Sequence, residues 1–492
     1  MKNKIFILRY ILIIQFILSI FLVVSCTTSP KPNSCESTSF KPIELNPVLP
    51  RQSGQFNVLE LATEPIDTVR IGFIGLGSRG TEAIKRYTFI DGVQIVAICD
   101  VVPENVEKNK RFLIDKGHPA PDTYTGVEDW KLICERDDID LIYVCTHWDL
   151  HTPIAVYAME NGKHVATEVP AALTVDECWQ LVNTAEKTRK HCIQLENCIY
   201  DFFEITTLNM AQKGLFGDIV HAEGAYIHDL RWLNFDLDGY WNMWRLKHLE
   251  KSDGNTYPTH GLGPVSHLLN IHRGDKMNYL VSMSTNQFGM TEYAKNKFGE
   301  DSDFAKREYK KGDMNTTLIK TEKGKTIMLQ HDVTSPRPYS RLHTISGTKG
   351  FAQKYPKERI ALEIIYDKNT VSLPDVELDS SGIRYIKNAH SFVSEAELDS
   401  LLLEYAHPIV KNIEKKAKEV GGHGGMDFIM DYRLIYCLRN GLPLDQDVYD
   451  AAEWSSIIEL SRRSVENNSI PVIIPDFTRG AWNMLDKVRY FE

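Results

Sequence analysis

"TVRIGFIGLGSRGTEAIKRY", Thr68–Tyr87, decides the fold. It opens on an apolar, β-branched run that reads as a buried strand, and a helical pattern closes it. Between them stands Gly75-x-Gly77-x-x-Gly80. In a doubly wound α/β fold the first glycine allows a tight turn and the second lets the backbone approach a pyrophosphate. The third lets helix pack on strand. The helix then turns its positive end toward the phosphates. That spacing is a weak signal until its surroundings agree. They do: a second strand, "VQIVAICD", ends in Asp100, 20 residues past Gly80. A carboxylate there accepts hydrogen bonds from the adenine ribose hydroxyls and repels a 2′-phosphate. Val101 and Val102 supply no compensating cation, so the expected dinucleotide is NAD rather than NADP.

The alternation continues down the chain. "IDLIYVCT", "HVATEVP" and "CIQLEN" read as strands, with "PIAVYAMENG" and "TVDECWQLVNTAEKTRKH" as the helices between them. Strands alternating with helices predict a parallel sheet, with ligands at its carboxyl edge. That edge would carry "THWDLH", Thr146 to His151, together with Glu168 and Asn197. After Asn197 the period changes. A helix, "FFEITTLNMAQKGLFG", leads into long alternating strands, and "TTLIKTEKGKTIMLQHDV" reads as a hairpin turning at Lys323-Gly324. "DQDVYDAAEWSSIIELSRRSVE" is a late amphipathic helix. The predicted class is α/β, in two parts. Residues 66–196 form an N-terminal Rossmann doubly wound sheet. Residues 197–492 form an α+β domain with an open, mostly antiparallel sheet, one face buried and one free.

Ahead of both lies a targeting pattern. Lys2, Lys4 and Arg9 precede an apolar run, "YILIIQFILSIFLVV", which is short for a membrane span. Ser25-Cys26 resembles the lipobox of bacterial lipoproteins, which implies a signal peptide over 1–25 and a lipidated Cys26. Residues 26–65, rich in Pro and Ser, read as a tether. The expected location is therefore membrane-anchored and exported, at the periplasm or the cell surface. With 43% hydrophobic and 25% charged residues the chain is ordinary for a globular protein. A net charge of -10 argues against nucleic acid as a partner. The 9 cysteines form no CxxC pair and no regular spacing, so neither a metal site nor a disulfide framework is expected. Cys99, Cys145 and Cys192 sit in strand-like runs and read as buried thiols.

A nucleotide-binding half followed by an open sheet resembles the Gfo/Idh/MocA oxidoreductases over residues 66 to 492. Two of that group's features are missing. Its Glu-Lys-Pro is Glu168-Val169-Pro170 here, and "GNTYPTHGLGP", Gly254 to Pro264, stands where an Asp-x-Gly-x-x-x-His pattern is usual. Together "LGSRG", "THWDLH", "EVP", "LEN", "YPTHGLGP" and "GGHGG" are similar to one branch, glycoside hydrolase family 109, the NAD-dependent α-N-acetylgalactosaminidases. The resemblance implies NAD contacts from Gly75, Gly77, Ser78, Arg79, Asp100, Trp148, Asp149, Leu150, His151, Glu168, Val169 and Asn197. Tyr257, Pro258, Thr259 and His260 would join them beside the nicotinamide. It implies sugar contacts from Tyr226, Arg245, Tyr257 and Tyr339, and catalytic roles for His423, Tyr226 and His260.

The implied route oxidises the sugar at C3, removes the C2 proton, expels the C1 substituent, adds water and reduces C3 again. The NAD is regenerated each turn. No carboxylate pair of the kind ordinary glycosidases use stands out in the sequence. In "VGGHGGMDF", Val420 to Phe428, the glycines flanking His423 read as a mobile loop carrying an acid–base group. Two other readings share the pattern: a net NAD-dependent sugar oxidoreductase, and a non-catalytic, lipid-anchored sugar-binding protein. The free face of the second sheet offers a surface for self-association.

Overall fold

The run Val69–Ile74 is almost wholly buried, and it forms the central strand β1 of a parallel sheet. The structure is a computed structural model. It describes residues 41–363 and 390–491, and the backbone of a hairpin at Ile365–Asp367 and Ile383–Tyr385. The sheet continues with β2 (Val93–Cys99), β3 (Asp122–Tyr124), β4 (Leu141–Val144), β5 (His164–Thr167) and β6 (Cys192–Gln194). Its order, β3-β2-β1-β4-β5-β6, reverses at β1, which opens a crevice at the carboxyl ends of β1 and β4. Among the helices that connect its strands are α1 (Ser78–Tyr87), α2 (His151–Glu160) and α3 (Val175–Thr188). Thr174 and Glu177 close a capping box that starts α3 where the sequence pattern starts it.

Helix α4 (Phe202–Gln212) leads to the second sheet. Its strands are β7 (Ile219–Ile227), then, after helices α5 (Trp244–Lys251) and α6 (Thr259–Leu268), β8 (Met277–Ser284), β9 (Asn315–Thr321), β10 (Thr326–Asp332), β11 (Ser340–Gly347), β12 (Gly350–Gln353) and β13 (Arg359–Leu362). The order is β13-β12-β11-β7-β10-β9-β8, with Val472–Ile473 added at the far edge. Only β7 and β10 pair in parallel among these strands. The predicted hairpin is β9–β10, and Gly324 takes the left-handed turn position at φ +85°. Along β9 buried and more exposed residues alternate. On the free face Tyr279, Met283 and Leu318 are exposed.

Two sequence readings change. The core does not divide where the sheets do. Helix α7 (Met426–Asn440) returns to pack on β1 and α1, and α8 (Val448–Glu466) lies against α3, β6 and β8. One apolar cluster accordingly includes Phe73, Ile142, Leu280, Phe428 and Trp454. The tether reading of 26–65 also fails for its described part. Ile43 bridges Val472, Arg51 pairs with buried Glu186, the Phe56 N–H donates to the Glu186 carbonyl, and Val58 and Leu61 are buried. Composition hid this because the partners lie more than a hundred residues away. The signal peptide 1–25, Cys26 and residues up to 40 fall outside the described residues. All seven described cysteines are free; Cys99 and Cys192 are buried as expected, whereas Cys145 is half-buried.

Candidate active site

The glycine turn after β1 has the shape the motif demands. Gly75 sits at φ +91°, and a Cβ there would lie 2.5 Å from the Cys145 carbonyl. A Cβ on Gly80 would lie 2.0 Å from the Gly75 carbonyl oxygen, so only glycine lets α1 abut the turn. A Cβ on Gly77, by contrast, would meet nothing within 4 Å beyond its own chain neighbours and helix. Gly77 caps α1 with no side chain on its amides, and it is exposed beside exposed Ser78. Asp100, at the end of β2, accepts from the Leu76 N–H at 2.5 Å and the Val102 N–H at 2.8 Å, which ties the turn to the second strand. An open helix N-terminus, room for backbone approach and a carboxylate beside the turn fit a dinucleotide.

The loops at the ends of β4, β5 and β6 bring together most of the other expected contacts. Trp148, Asp149 and Leu150 form a single 3-10 turn after β4. His151 is buried behind that turn. Its ring nitrogens face the carbonyl oxygens of Pro170, at 2.7 Å, and Thr146, at 3.0 Å, so it braces two loops instead of facing the crevice. Asp149 is exposed between His147 and His248. Buried Glu168 accepts from Arg79 Nε at 2.9 Å, with Val169 buried beside it. Asn197 donates to Asp427, and the Thr259 hydroxyl accepts from Gln194 at 3.0 Å.

A close backbone approach docks the second sheet onto this edge. Gly224 in β7 faces Gly261 in α6; a Cβ on Gly261 would lie 2.3 Å from the Ala225 nitrogen, and one on Gly224 would lie 2.1 Å from the Gly261 carbonyl oxygen. A Cβ on Gly263 would lie 2.7 Å from Glu196 Cγ. "YPTHGLGP" therefore presses α6 onto β7 and onto the end of β6 at once. The Tyr226 ring then lies 4.9 Å from Tyr257 and 5.5 Å from His260. Tyr257 stacks on Trp148 at 5.7 Å, and Tyr339 meets Tyr226 edge-on at 6.2 Å. Arg245 lies over Tyr257, Trp148 and Tyr240, a buried cation faced by three rings.

The electrostatics sort these groups. Burial pushes the Tyr226 phenol up to about 12, although Arg245 opposes it. Burial raises Tyr257 and Tyr339 further. All three stay protonated near neutrality and act as donors. Burial lowers the pKa of Arg245, but its tyrosine neighbours more than offset this, so it remains a cation. His260 Nδ1 lies 2.7 Å from Glu196 Oε2, whose carboxylate is fully buried and also accepts from the Cys198 N–H at 2.7 Å. A carboxylate can only accept, so it holds the proton on Nδ1 and leaves Nε2 as the basic atom.

Glu196, His228 and Asp427 were not singled out in the sequence. Glu196 was hidden inside a strand-like run, although its place next to Asn197 was a usable signal. His228, packed on Tyr339 at 4.9 Å, is held below the usual histidine range by burial, then by Arg245 and, more weakly, His423. Among the described residues one trio, Glu196, Cys198 and His260, brings possible metal-ligand atoms within 4.8 Å of one another. Burial holds the Cys198 thiol well above its usual range, which disfavours the thiolate a metal requires.

His423 lies on a turn whose five residues, Gly421 to Gly425, all have positive φ, from 46° to 111°. A Cβ on Gly422 would lie 2.7 Å from Asp427 Cβ, and one on Gly425 would lie 2.9 Å from the Ala417 backbone. The glycines thus serve a left-handed path that L side chains rarely follow, a geometric reason in place of the mobility read from the sequence. His423 is half-exposed, and its Nδ1 rests 2.9 Å from Asp427 Oδ2.

Comparison with known proteins agrees with this arrangement. A family model described as "Oxidoreductase family, NAD-binding Rossmann fold" matches residues 69–195, and one described as "Glycosyl hydrolase 109, C-terminal domain" matches 200–484. Residues 69–195 thus form an NAD-binding Rossmann domain. An "Alpha-N-acetylgalactosaminidase" of Bacteroides fragilis is 56% identical over 431 residues, 87% of this chain and 96% of that one. A "Glycosyl hydrolase family 109 protein 1" of Phocaeicola vulgatus is 52% identical over 469 residues, covering 94% and 95%. Among solved structures, levoglucosan dehydrogenase in complex with NADH and levoglucosan superposes with a TM-score of 0.59 at 17% identity. It covers 83% of this chain and 100% of its own, a likeness of fold.

Proposed function

This chain belongs to glycosyl hydrolase family 109, and from that premise we propose that it hydrolyses terminal α-linked N-acetylgalactosamine with the help of bound NAD. The name of the Bacteroides fragilis relative supports the substrate. Ser78, Arg79 and Asp100 hold the dinucleotide at the glycine turn, and Trp148, Glu168, Asn197 and Tyr257 hold its nicotinamide end. When bound, NAD supplies reversible hydride acceptance at C3 of the sugar, which makes the neighbouring C2 proton acidic.

The chain's own groups do the rest. Arg245 and the protonated Tyr226 donate to the oxygen on which negative charge develops. His260, its Nδ1 proton kept by Glu196, uses Nε2 to take and return a proton. Tyr257 and Tyr339 orient the ring. His423 protonates the departing oxygen and then deprotonates water. The observation that carries this reading is the Gly224–Gly261 contact, which sets Tyr226, Tyr257 and His260 at the carboxyl edge of the nucleotide sheet.

Turnover of an aryl α-N-acetylgalactosaminide in deuterated water tests it. Product deuterated at C2, with no accumulation of reduced nicotinamide, is expected. Product retaining its C2 hydrogen, or stoichiometric NADH, would overturn the reading.

We also propose that the protein is an exported lipoprotein, anchored at the membrane through Cys26. The leader pattern supports this, and loss of palmitate labelling in Cys26→Ala is the check. The exposed Tyr279, Met283 and Leu318 support self-association through the free sheet face, testable by light scattering.

A further inference from the structure

Four groups converge on Asp427, a carboxylate 1% exposed in the first turn of α7. Its Oδ2 faces His423 Nδ1 at 2.9 Å and accepts from Arg79 Nη1 at 3.1 Å, with Arg86 Nη1 at 3.6 Å. Its Oδ1 accepts from Asn197 Nδ2. Arg79 continues the chain through its Nε to Glu168 at 2.9 Å. Three of the residues assigned to the dinucleotide, Arg79, Asn197 and Glu168, thus lie two or three contacts from the residue assigned to the leaving group. The sequence supports the arrangement, because Gly422 has no Cβ to collide with that of Asp427.

The protonation pattern follows from the chemistry of the partners. Burial opposes ionisation of Asp427, but His423, Arg79 and Arg86 outweigh it and hold the carboxyl well below its usual range. An ionised carboxylate only accepts, so a 2.9 Å contact requires the proton on His423 Nδ1. Arg79 approaches the same nitrogen only at 3.5 Å, the outer limit for a hydrogen bond, and cannot compete. With Nδ1–H committed to Asp427, Nε2 is the atom left to exchange protons. In the imidazolium form Nε2–H gives its proton to the leaving oxygen. The lone pair that remains takes one from the attacking water.

We propose that Asp427 is a positioning residue. It fixes the Nδ1–H tautomer of His423 and joins that ring, through Arg79 and Asn197, to the loops that hold the dinucleotide. This rests on the reading of His423 as the acid–base group for the aglycone.

The test uses the NAD-loaded protein with 15N-labelled histidine, the His423 signal being assigned by its loss in His423→Gln. The wild-type ring is expected as Nδ1–H, and Asp427→Asn should shift it toward Nε2–H. In the same variant the rate on an alkyl glycoside relative to an activated aryl glycoside should fall by roughly ten- to a hundredfold. That is less than for a buried triad, because His423 is half solvated. His423→Ala in parallel separates the two ideas. If it shows no such leaving-group dependence, the reading of His423 fails. If it does, while Asp427→Asn changes neither tautomer nor ratio, Asp427 is not the positioning residue. Should Asp427→Asn not fold, the wild-type spectrum alone decides: an Nε2–H ring would overturn the proposal.

Discussion

Gly261→Ala should disable the site without changing a polar side chain. The added Cβ would stand 2.3 Å from the Ala225 nitrogen and 2.9 Å from the Ala225 Cα, whereas ordinary contact begins at 3.4 Å. Both obstacles are backbone within a strand paired on both sides, so the strand cannot yield as a side-chain tip could. Helix α6 must instead retreat by about 1 Å. His260 precedes Gly261 directly, and a retreat of that size stretches its 2.7 Å contact with Glu196 beyond hydrogen-bond range. A misplacement of about 1 Å costs on the order of a hundredfold in rate. Overpacking should remove about 1–3 kcal/mol of stability, small enough for the protein to stay folded. The assay is kcat on an aryl α-N-acetylgalactosaminide, with bound NAD quantified and unfolding followed in the same samples. NAD should remain, because the glycine turn is built by β1, α1 and β2. Gly224→Ala should act in the same direction. The double variant should lose less than the two single losses combined, since both force apart the same contact. A folded, NAD-loaded Gly261→Ala with kcat within about threefold of wild type would refute the claim that this approach sets the site.

Glu196→Gln keeps an acceptor for the Cys198 N–H but no longer holds the His260 Nδ1 proton as a charge does. Loss of a charge-assisted hydrogen bond of about 1.5–3 kcal/mol predicts a fall in kcat of roughly ten- to a hundredfold, with KM and NAD content near wild type. An unchanged kcat would remove Glu196 from the site. A separate prediction concerns pH. His272 is fully buried between Glu453 and Asp450; burial lowers its pKa, but Glu453 and then Asp450 outweigh this and raise it to about 10 from 6.5. The folded state therefore binds the proton more tightly. The stability contributed is complete below pH 6.5 and is lost as pH rises toward 10. Denaturant unfolding across that window should show stability falling by up to about 1.4 kcal/mol per pH unit. His272→Gln should flatten the slope, and an identical slope would refute the assignment.

The nucleotide half was legible because its rules are local. Gly75, Gly77 and Gly80 report on their own turn, and Asp100 lies at a distance from them fixed by one helix and one strand. The strand and helix runs quoted above were legible through period alone, whereas the short strand β3 and the helices Pro103–Asp115 and Asp129–Cys134 beside it were not read. The C-terminal return was not. Helix α7 spans Met426–Asn440 and has no clean apolar stripe, since Asp427, Asp431 and Arg433 are buried with Phe428 and Leu434. A helix enclosed on most sides shows no amphipathic period, so it escapes a reading based on one. The segment from Pro42 onward escaped for a related reason: its anchors to Glu186 and Val472 exist only after folding.

The glycine-flanked histidine shows where composition misleads most. Glycine is equally the residue of a floppy loop and of a rigid left-handed turn, and a sequence does not distinguish them. The structure does, through what surrounds the turn. Gly422 and Gly425 are hemmed in by Asp427 and Ala417, and His423 itself adopts φ 46° although it carries a Cβ. A non-glycine residue in that region costs about 1 kcal/mol or more and persists only where neighbours enforce it. Here the neighbour is Asp427, four residues on, whose carboxylate meets the imidazole. The strain at His423 and the hydrogen bond to Asp427 are therefore parts of one arrangement. The backbone path aims the ring, the carboxylate fixes its protons, and the glycines make the path possible.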